Sequence, residues 1–293
     1  MSPPSGPPVI FDSARRQTRL ERSAARFGDA DFLHARTADD AVASLEATLR
    51  DFPVVVDLSA HPGPFRDRLR ASLASARVGE PRWIGADVAA APGAQGLGLG
   101  LADGSTDLIV SLMTLHWAND LPGALSQIRR ALKPDGLFLG TLLGAATLKE
   151  LRAVLTEAEL EERGGAQARV SPFADGYDGA ALLQRAGFAL PVCDVDRVTV
   201  RYPDLFALIR DLRAMGETNQ LAGRVRPLTR TIVSRAAVLY AERHGDADGK
   251  IPATFEIVNL AGWAPHESQQ KPLRRGSASV RLADALHVRE RRE

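Results

Sequence analysis

The chain has 293 residues, 45% of them hydrophobic, which suits one large α/β domain with a real core. Its 37 basic and 36 acidic residues leave a net charge of +1, which argues against a nucleic-acid groove or attraction to an anionic membrane surface. The single cysteine, Cys193, excludes an internal disulfide framework and fits a reducing compartment, and no apolar run is long enough to span a bilayer.

The opening MSPPSGPP is a Pro/Ser tail without an apolar stretch, so residues 1–9 are expected to be a disordered tail, not a signal peptide. A capped surface helix is expected from near Asp12 to Arg26, and a second from Ala38 to Leu49. Pro53 then marks the boundary before Val54–Leu58, a continuous apolar run of the kind buried on both faces of a parallel sheet. A helix follows around Pro64–Ala76, with the proline in its first turn. RWIGADV reads as a second strand ending at Asp87. A glycine-rich connection separates it from DLIVSLMTL, a buried strand over Asp107–Leu115. The next segment is an amphipathic helix with Leu125, Ile128 and Leu132 on one face, and Lys133-Pro134-Asp135-Gly136 stops it. GLFLGTLLG is the next strand.

The second half begins with a helix over Leu148–Glu162 and a short one over Gly179–Ala186. An alternating strand over Val192–Tyr202 follows, with Cys193 as a packing residue. Helices near Pro203–Met215 and Leu228–His244 come next, and ATFEIVNLAGWA is the last strand. The alternation predicts a doubly wound, mostly parallel α/β sheet, with ligands beyond the carboxyl ends of the strands. Residues 10–283 are expected to form a single domain. Its cofactor half runs over 10–145 and its substrate half over 146–283, with a helical insertion at about 203–250. The charged end over 284–293 is read as a solvated tail.

VVVDL, GAD and ADGSTDLIVSLMTLHWANDLPGALSQIRRALKPDG together resemble the class I S-adenosylmethionine-dependent methyltransferases of the type 11 kind. SPF at Ser171–Phe173, MGETN at Met215–Asn219 and GWAPHESQQKPLRRGSA from Gly262 narrow the resemblance. With them the chain is similar to the methyltransferase-fold assembly factors of respiratory complex I, a protein-arginine hydroxylase family. It is similar at greater distance to the malonyl-carrier-protein methyltransferase of biotin synthesis. The resemblance implies a Rossmann-like sheet of seven strands, the last antiparallel. It also implies S-adenosylmethionine as cofactor and a protein substrate, a complex I subunit. A bacterial, cytoplasmic protein is expected, at most peripheral at the inner membrane through a partner, with no nucleic acid bound and no transmembrane segment.

The cofactor loop departs from the family form Asp-Leu-Gly-x-Gly-x-Gly. Ser59, His61 and Gly63 stand at its glycine places, where the backbone must pass close to the ligand. Pro62 removes one backbone N–H as well. Asp57 closes the first strand, and Asp87 stands where the family acid bridges the ribose hydroxyls. Gln95 aligns with the residue facing the adenine amine, and Leu115 completes the expected cofactor set. Loss of the cofactor is therefore the alternative.

His116 and Trp117 follow the strand ending at Leu115 and are the candidate catalytic pair, as base and pocket wall; packing and turn capping are the alternative. No metal is expected, although Asp57, His61 and His116 would make the two-histidine, one-carboxylate set that suits non-haem iron. Glu217 and Asn219 are candidate substrate contacts, since a carboxylate matches a guanidinium bidentately; helix-end capping is the alternative. His266 and Glu267, near Arg274 and Arg275, are candidates for a protein-substrate face. Three functions stay open. They are a methyltransferase-like enzyme that methylates or hydroxylates an arginine, a non-catalytic assembly chaperone, and a malonyl-carrier-protein methyltransferase.

Overall fold

The computed structural model describes residues 9–84, 99–173 and 178–270. Six strands form one sheet: β1 (Val55–Asp57), β2 (Arg82–Trp83), β3 (Thr106–Ser111), β4 (Leu132–Leu143), β5 (Ala189–Tyr202) and β6 (Ile251–Trp263), in the order β2-β1-β3-β4-β6-β5. β2, β1, β3 and β4 are parallel, and β6 runs antiparallel between β4 and β5. The doubly wound, mostly parallel sheet with an antiparallel last strand is therefore present. The six strands read from the sequence are the six found. The seventh that the resemblance implied is not among the described residues.

Side chains that alternate along the central strands reach two different cores. Val55, Leu108, Val110, Leu137 and Leu139 pack on one face with Leu45 of α2 (Phe32–Glu46) and Phe65 and Leu69 of α3 (Gly63–Ala71). Val56, Ile109 and Phe138 pack on the other. There they meet Leu125 and Ile128 of α4 (Leu121–Ala131) and Leu183 of α6 (Gly179–Arg185). Burial on both faces is why these strands read as unbroken apolar runs.

A third core joins α5 (Lys149–Arg163), α7 (Leu205–Met215) and α8 (Arg230–His244) to β6 through Leu151, Leu208, Tyr240 and Phe255. The helices expected as an insertion thus share a core with the sheet.

Helix starts follow local chemistry. α1 (Ser13–Ser23) is capped by Asp12, whose Oδ1 accepts from Arg15 N at 2.9 Å; a 3-10 turn (Ala24–Asp29) continues it. Asp120 caps α4, Asp204 caps α7 and Thr229 caps α8 in the same way. α7 ends at Gly216, whose φ of +79 is open to glycine at little cost. Gly216 N reaches Arg213 O, and Glu217 N reaches Leu212 O at 2.9 Å. This ending turns the chain so that Glu217 points inward.

Candidate functional site

The loop after β1 is stitched to the end of β3. Asp57, fully buried, accepts from Ser59 N at 2.8 Å through Oδ1. Its Oδ2 is buried with no partner. Burial pushes the Asp57 carboxyl up to about 6, against the opposing pull of the Ser59 hydrogen bonds. Ser59 Oγ accepts from Leu112 N at 2.9 Å, and Ala60 N donates to Thr114 Oγ1 at 2.8 Å. Ser59 therefore replaces a family glycine with a side chain used inside the fold. Gly63 opens α3, and a Cβ there would meet no heavy atom within 4 Å. Leu115 is buried in the core with Val56 and Leu58. Asp87 and Gln95 lie outside the described residues, as do Arg274 and Arg275.

The His61 imidazole stacks on Phe27, with ring centres 3.7 Å apart, and its Nε2 lies 3.3 Å from Met215 O. The buried His34 stands edge-on to both rings, at 5.2 Å from His61 and 4.9 Å from Phe27. Burial, then the neighbouring His61, pushes His34 down to about 3, and burial also lowers His61. Both rings are held in the neutral form.

His116 and Trp117 sit in a 3-10 turn (Leu115–Trp117) beyond β3. His116 Nε2 lies 2.9 Å from Glu217 Oε2, and Trp117 Nε1 donates to the same oxygen at 3.0 Å. A carboxylate only accepts, so the pair selects the His116 tautomer with hydrogen on Nε2. His116 Nδ1 is left buried and unpartnered. The Glu217 side chain is 6% exposed. Burial disfavours its charge, but His116, through its charge interaction and hydrogen bond, outweighs that with help from Arg16 and holds its carboxyl below the ordinary glutamate value.

The set of Asp57, His61 and His116 is not brought together as metal ligands. The described residues include no group of three or more His, Cys, Asp or Glu arranged to hold an ion. The reason is local: Asp57 bonds to Ser59, His61 to Met215 and His116 to Glu217.

Glu217 forms part of the wall of a cavity of about 920 Å³, with Trp117, Phe173 and Ser171 beside it. Phe173 stands edge-on to His116 and Trp117 at 5.4 and 5.7 Å. Ser171 is 2% exposed, and its Oγ is buried without a partner. Asn219 also lines the cavity, but its side chain is engaged. Its Nδ2 donates to Ala168 O and Arg169 O at 2.8 and 3.1 Å, and its Oδ1 accepts from Leu221 N. Asn219 thus ties two loop segments together and caps no helix, whereas Glu217 reaches across to the turn after β3.

The N-terminal segment closes over this site. Asn119 Oδ1 accepts from Ile10 N and Phe11 N at 2.7 and 2.8 Å, and its Nδ2 donates to Phe11 O at 3.0 Å. Phe11 meets Trp117 edge-on at 5.2 Å and bridges to Leu221. Asn119 and His34 stand out by no sequence motif of their own, and Ser171 only as part of the SPF motif. The polar island LHWAND next to an apolar strand was the available signal for Asn119.

His266 and Glu267 lie elsewhere. Trp263 pairs with Leu137 and Ile257 with Leu143, so β6 ends at the amino edge of β4, opposite the edge that carries His116. There His266 Nδ1 and Ser268 Oγ, at 2.7 Å, form an exposed turn, and Gln269 ties that turn to Asp135. The structure does not join them to Glu217.

Residues 65–140 match the family model described as "Methyltransferase domain". The chain is 47% identical over 182 residues to the mitochondrial arginine-hydroxylase NDUFAF5 of Danio rerio, covering 62% of this chain and 57% of that protein. It is 46% identical over 178 residues to the Homo sapiens NDUFAF5, covering 61% and 52%. It is 39% identical over 168 residues to the malonyl-[acyl-carrier protein] O-methyltransferase of Methylovorus, covering 57% and 54%. The chain thus spans a little over half the length of these relatives. The expectation of a bacterial, cytoplasmic protein is overturned by the first two, which are mitochondrial proteins of animals. Residues 65–140 are thus similar to methyltransferase domains, and the resemblance read from the sequence is borne out, both to the arginine-hydroxylase relatives and to the malonyl-carrier-protein methyltransferases.

Proposed function

We propose that the chain binds S-adenosylmethionine at the rim of β1 and β3 and modifies an arginine side chain of a protein partner, in the assembly of respiratory complex I. One observation carries the substrate side: the buried Glu217 carboxylate in a cavity wall, fixed from behind by His116 and Trp117. A guanidinium suits such a carboxylate, donating to Oε1 while His116 and Trp117 hold Oε2. Trp117 and Phe173 supply flat walls for the guanidinium plane, and Ser171 Oγ supplies an unused hydroxyl. His116 acts through Glu217: it orients the carboxylate and favours its ionised form.

The cofactor side is supported by the unpartnered Oδ2 of Asp57 and the open space at Gly63. These two residues would hold the nucleoside end; no described contact of His61 turns its ring toward them. When bound, S-adenosylmethionine supplies an electrophilic methyl group. The carboxylate of Glu217 disfavours a malonyl substrate, because two carboxylates would then share one low-dielectric wall.

A second reading, a non-catalytic assembly chaperone, is favoured by Ser59, whose side chain is committed to β3. Isothermal titration with S-adenosylhomocysteine separates the two. A Kd on the order of 1 μM, worth about 8 kcal/mol, supports the enzyme. Absence of heat together with absence of a thermal shift overturns it. Mass spectrometry of the treated partner then distinguishes methylation, a gain of one CH2, from hydroxylation, a gain of one oxygen.

A further inference from the structure

The chain is nearly neutral overall, yet one seam of its surface is not. Arg15, Arg19 and Arg22 recur along one side of α1, and Arg26 extends the row into the 3-10 turn. Arg210 and Arg213 stand on α7, which packs against α1. Arg19 and Arg213 line both the Glu217 cavity and a second hollow of about 280 Å³, which also takes in Arg22, Arg26 and Thr218. The two hollows therefore adjoin along α1 and α7.

The cations on this seam are poorly neutralised. Asp12 and Asp29 reach Arg15 and Arg26 only at 3.8 Å. Among the described residues Arg19, Arg22, Arg210 and Arg213 have no carboxylate partner. Partial burial and the like charges of Arg15, Arg22 and Arg213 depress the Arg19 guanidinium, and its Nε is buried without an acceptor. Several arginines elsewhere on the surface are paired at closer range: Arg36 with Asp196, Arg70 with Glu80, Arg201 with Asp246 and Asp248, Arg235 with Glu161. A row of guanidiniums short of carboxylates, leading to the buried Glu217 carboxylate, has the charge pattern of a mould. Its complement is a chain of acidic groups next to one cation. Phe206, half exposed beside Arg210 and also lining the cavity, adds an apolar contact of the kind a polypeptide uses.

We propose that the α1–α7 arginine seam is a docking track for an acidic polypeptide segment, which delivers a cationic side chain to the Glu217 cavity. The delivery step rests on the proposed role of Glu217, whereas the docking step rests on the seam alone.

The experiment uses the full chain and fluorescence anisotropy with three labelled peptides. The first carries one arginine between two glutamate runs, the second replaces the glutamates by glutamines, and the third keeps the glutamates but replaces the arginine by glutamine. The first is expected to bind at least about tenfold tighter than the second, and to lose that advantage as salt rises from about 50 to about 500 mM. Arg22→Glu with Arg213→Glu, both at exposed positions, is expected to remove the same advantage. Equal binding of the first two peptides overturns the seam and leaves the Glu217 reading standing. Equal, seam-dependent binding of the first and third sustains the seam and overturns the Glu217 reading. Vesicles of phosphatidylglycerol and phosphatidylcholine are the control: seam-dependent binding to them, with no peptide bound, overturns the proposal in favour of a lipid surface.

Discussion

His116 Nε2 and Glu217 Oε2 lie 2.9 Å apart although 101 residues of chain separate them. The contact joins the end of β3 to the end of α7, so one hydrogen bond ties the cofactor half of the sheet to the helices beside it. Trp117 shares the acceptor. Glu217→Ala leaves two buried donors without a partner and is expected to cost about 3 kcal/mol of stability. Glu217→Gln keeps an oxygen acceptor and is expected to cost about 1 kcal/mol. Urea unfolding measures both. Both variants are expected to lose binding of an arginine peptide, and a Gln variant that keeps full affinity removes Glu217 from the substrate site.

His34 gives a pH signature. Its folded-state pKa is pushed down to about 3, while the unfolded residue titrates near 6.5. Below about 6.5 the unfolded chain takes up a proton that the fold refuses, so this contribution is whole above that pH and is lost as pH falls toward 3. His61 is shifted the same way. His34→Leu removes two unpartnered ring nitrogens and one of these titrations. Between about pH 6 and pH 4 the variant is expected to gain on the parent chain by about 1.4 kcal/mol per pH unit. Parallel stability curves would mean that His34 is not buried neutral.

Much of the fold was legible because its signals are local. Val54–Leu58 and DLIVSLMTL read as buried strands since both faces of β1 and β3 are covered. Asp12 announced a helix start through a short polar cap, and the structure adds Asp120 as a second. The site was legible only in part. Glu217 drew attention through the polar motif after an amphipathic helix, and His116 through its place after a strand. That they meet depends on how α7 packs on the sheet, and no spacing in the chain encodes that. His61 was expected to intrude on the cofactor loop. Its ring instead found Phe27 and Met215, a choice set by tertiary packing. His266 and Glu267 lie away from Glu217, because the antiparallel direction of β6 carries them to the opposite edge.

Asn119 predicts how the N-terminal segment is held. Its side chain makes three hydrogen bonds to Ile10 and Phe11, and Phe11 buries its ring on Trp117. Asn119→Ala is expected to cost about 2–3 kcal/mol, as two accepting contacts and one donating contact are lost together. Hydrogen exchange is expected to rise at the Ile10 and Phe11 amides and to change little at the Ile109 amide in β3. Uniform acceleration across the chain would instead make Asn119 a general stability residue.

Asp57 links stability to the proposed cofactor in opposite directions. Its carboxyl is fully buried, one oxygen lacks a partner, and its pKa is raised from 3.8 to about 6. A raised carboxyl pKa means that the fold favours the protonated form. That contribution is whole below about 4 and is lost as pH climbs through about 6. Asp57→Asn cannot ionise, so from about pH 4 to pH 8 the variant is expected to gain on the parent chain by about 3 kcal/mol. The same change removes the anionic acceptor offered to a ribose or amine donor, and affinity for S-adenosylhomocysteine is expected to fall by about tenfold. Thermal unfolding at both pH values and a titration at pH 8 read the two effects on one protein. A variant that gains stability while keeping its affinity shows that the orphan oxygen faces no ligand, and the nucleoside contact must then come from another residue at the rim.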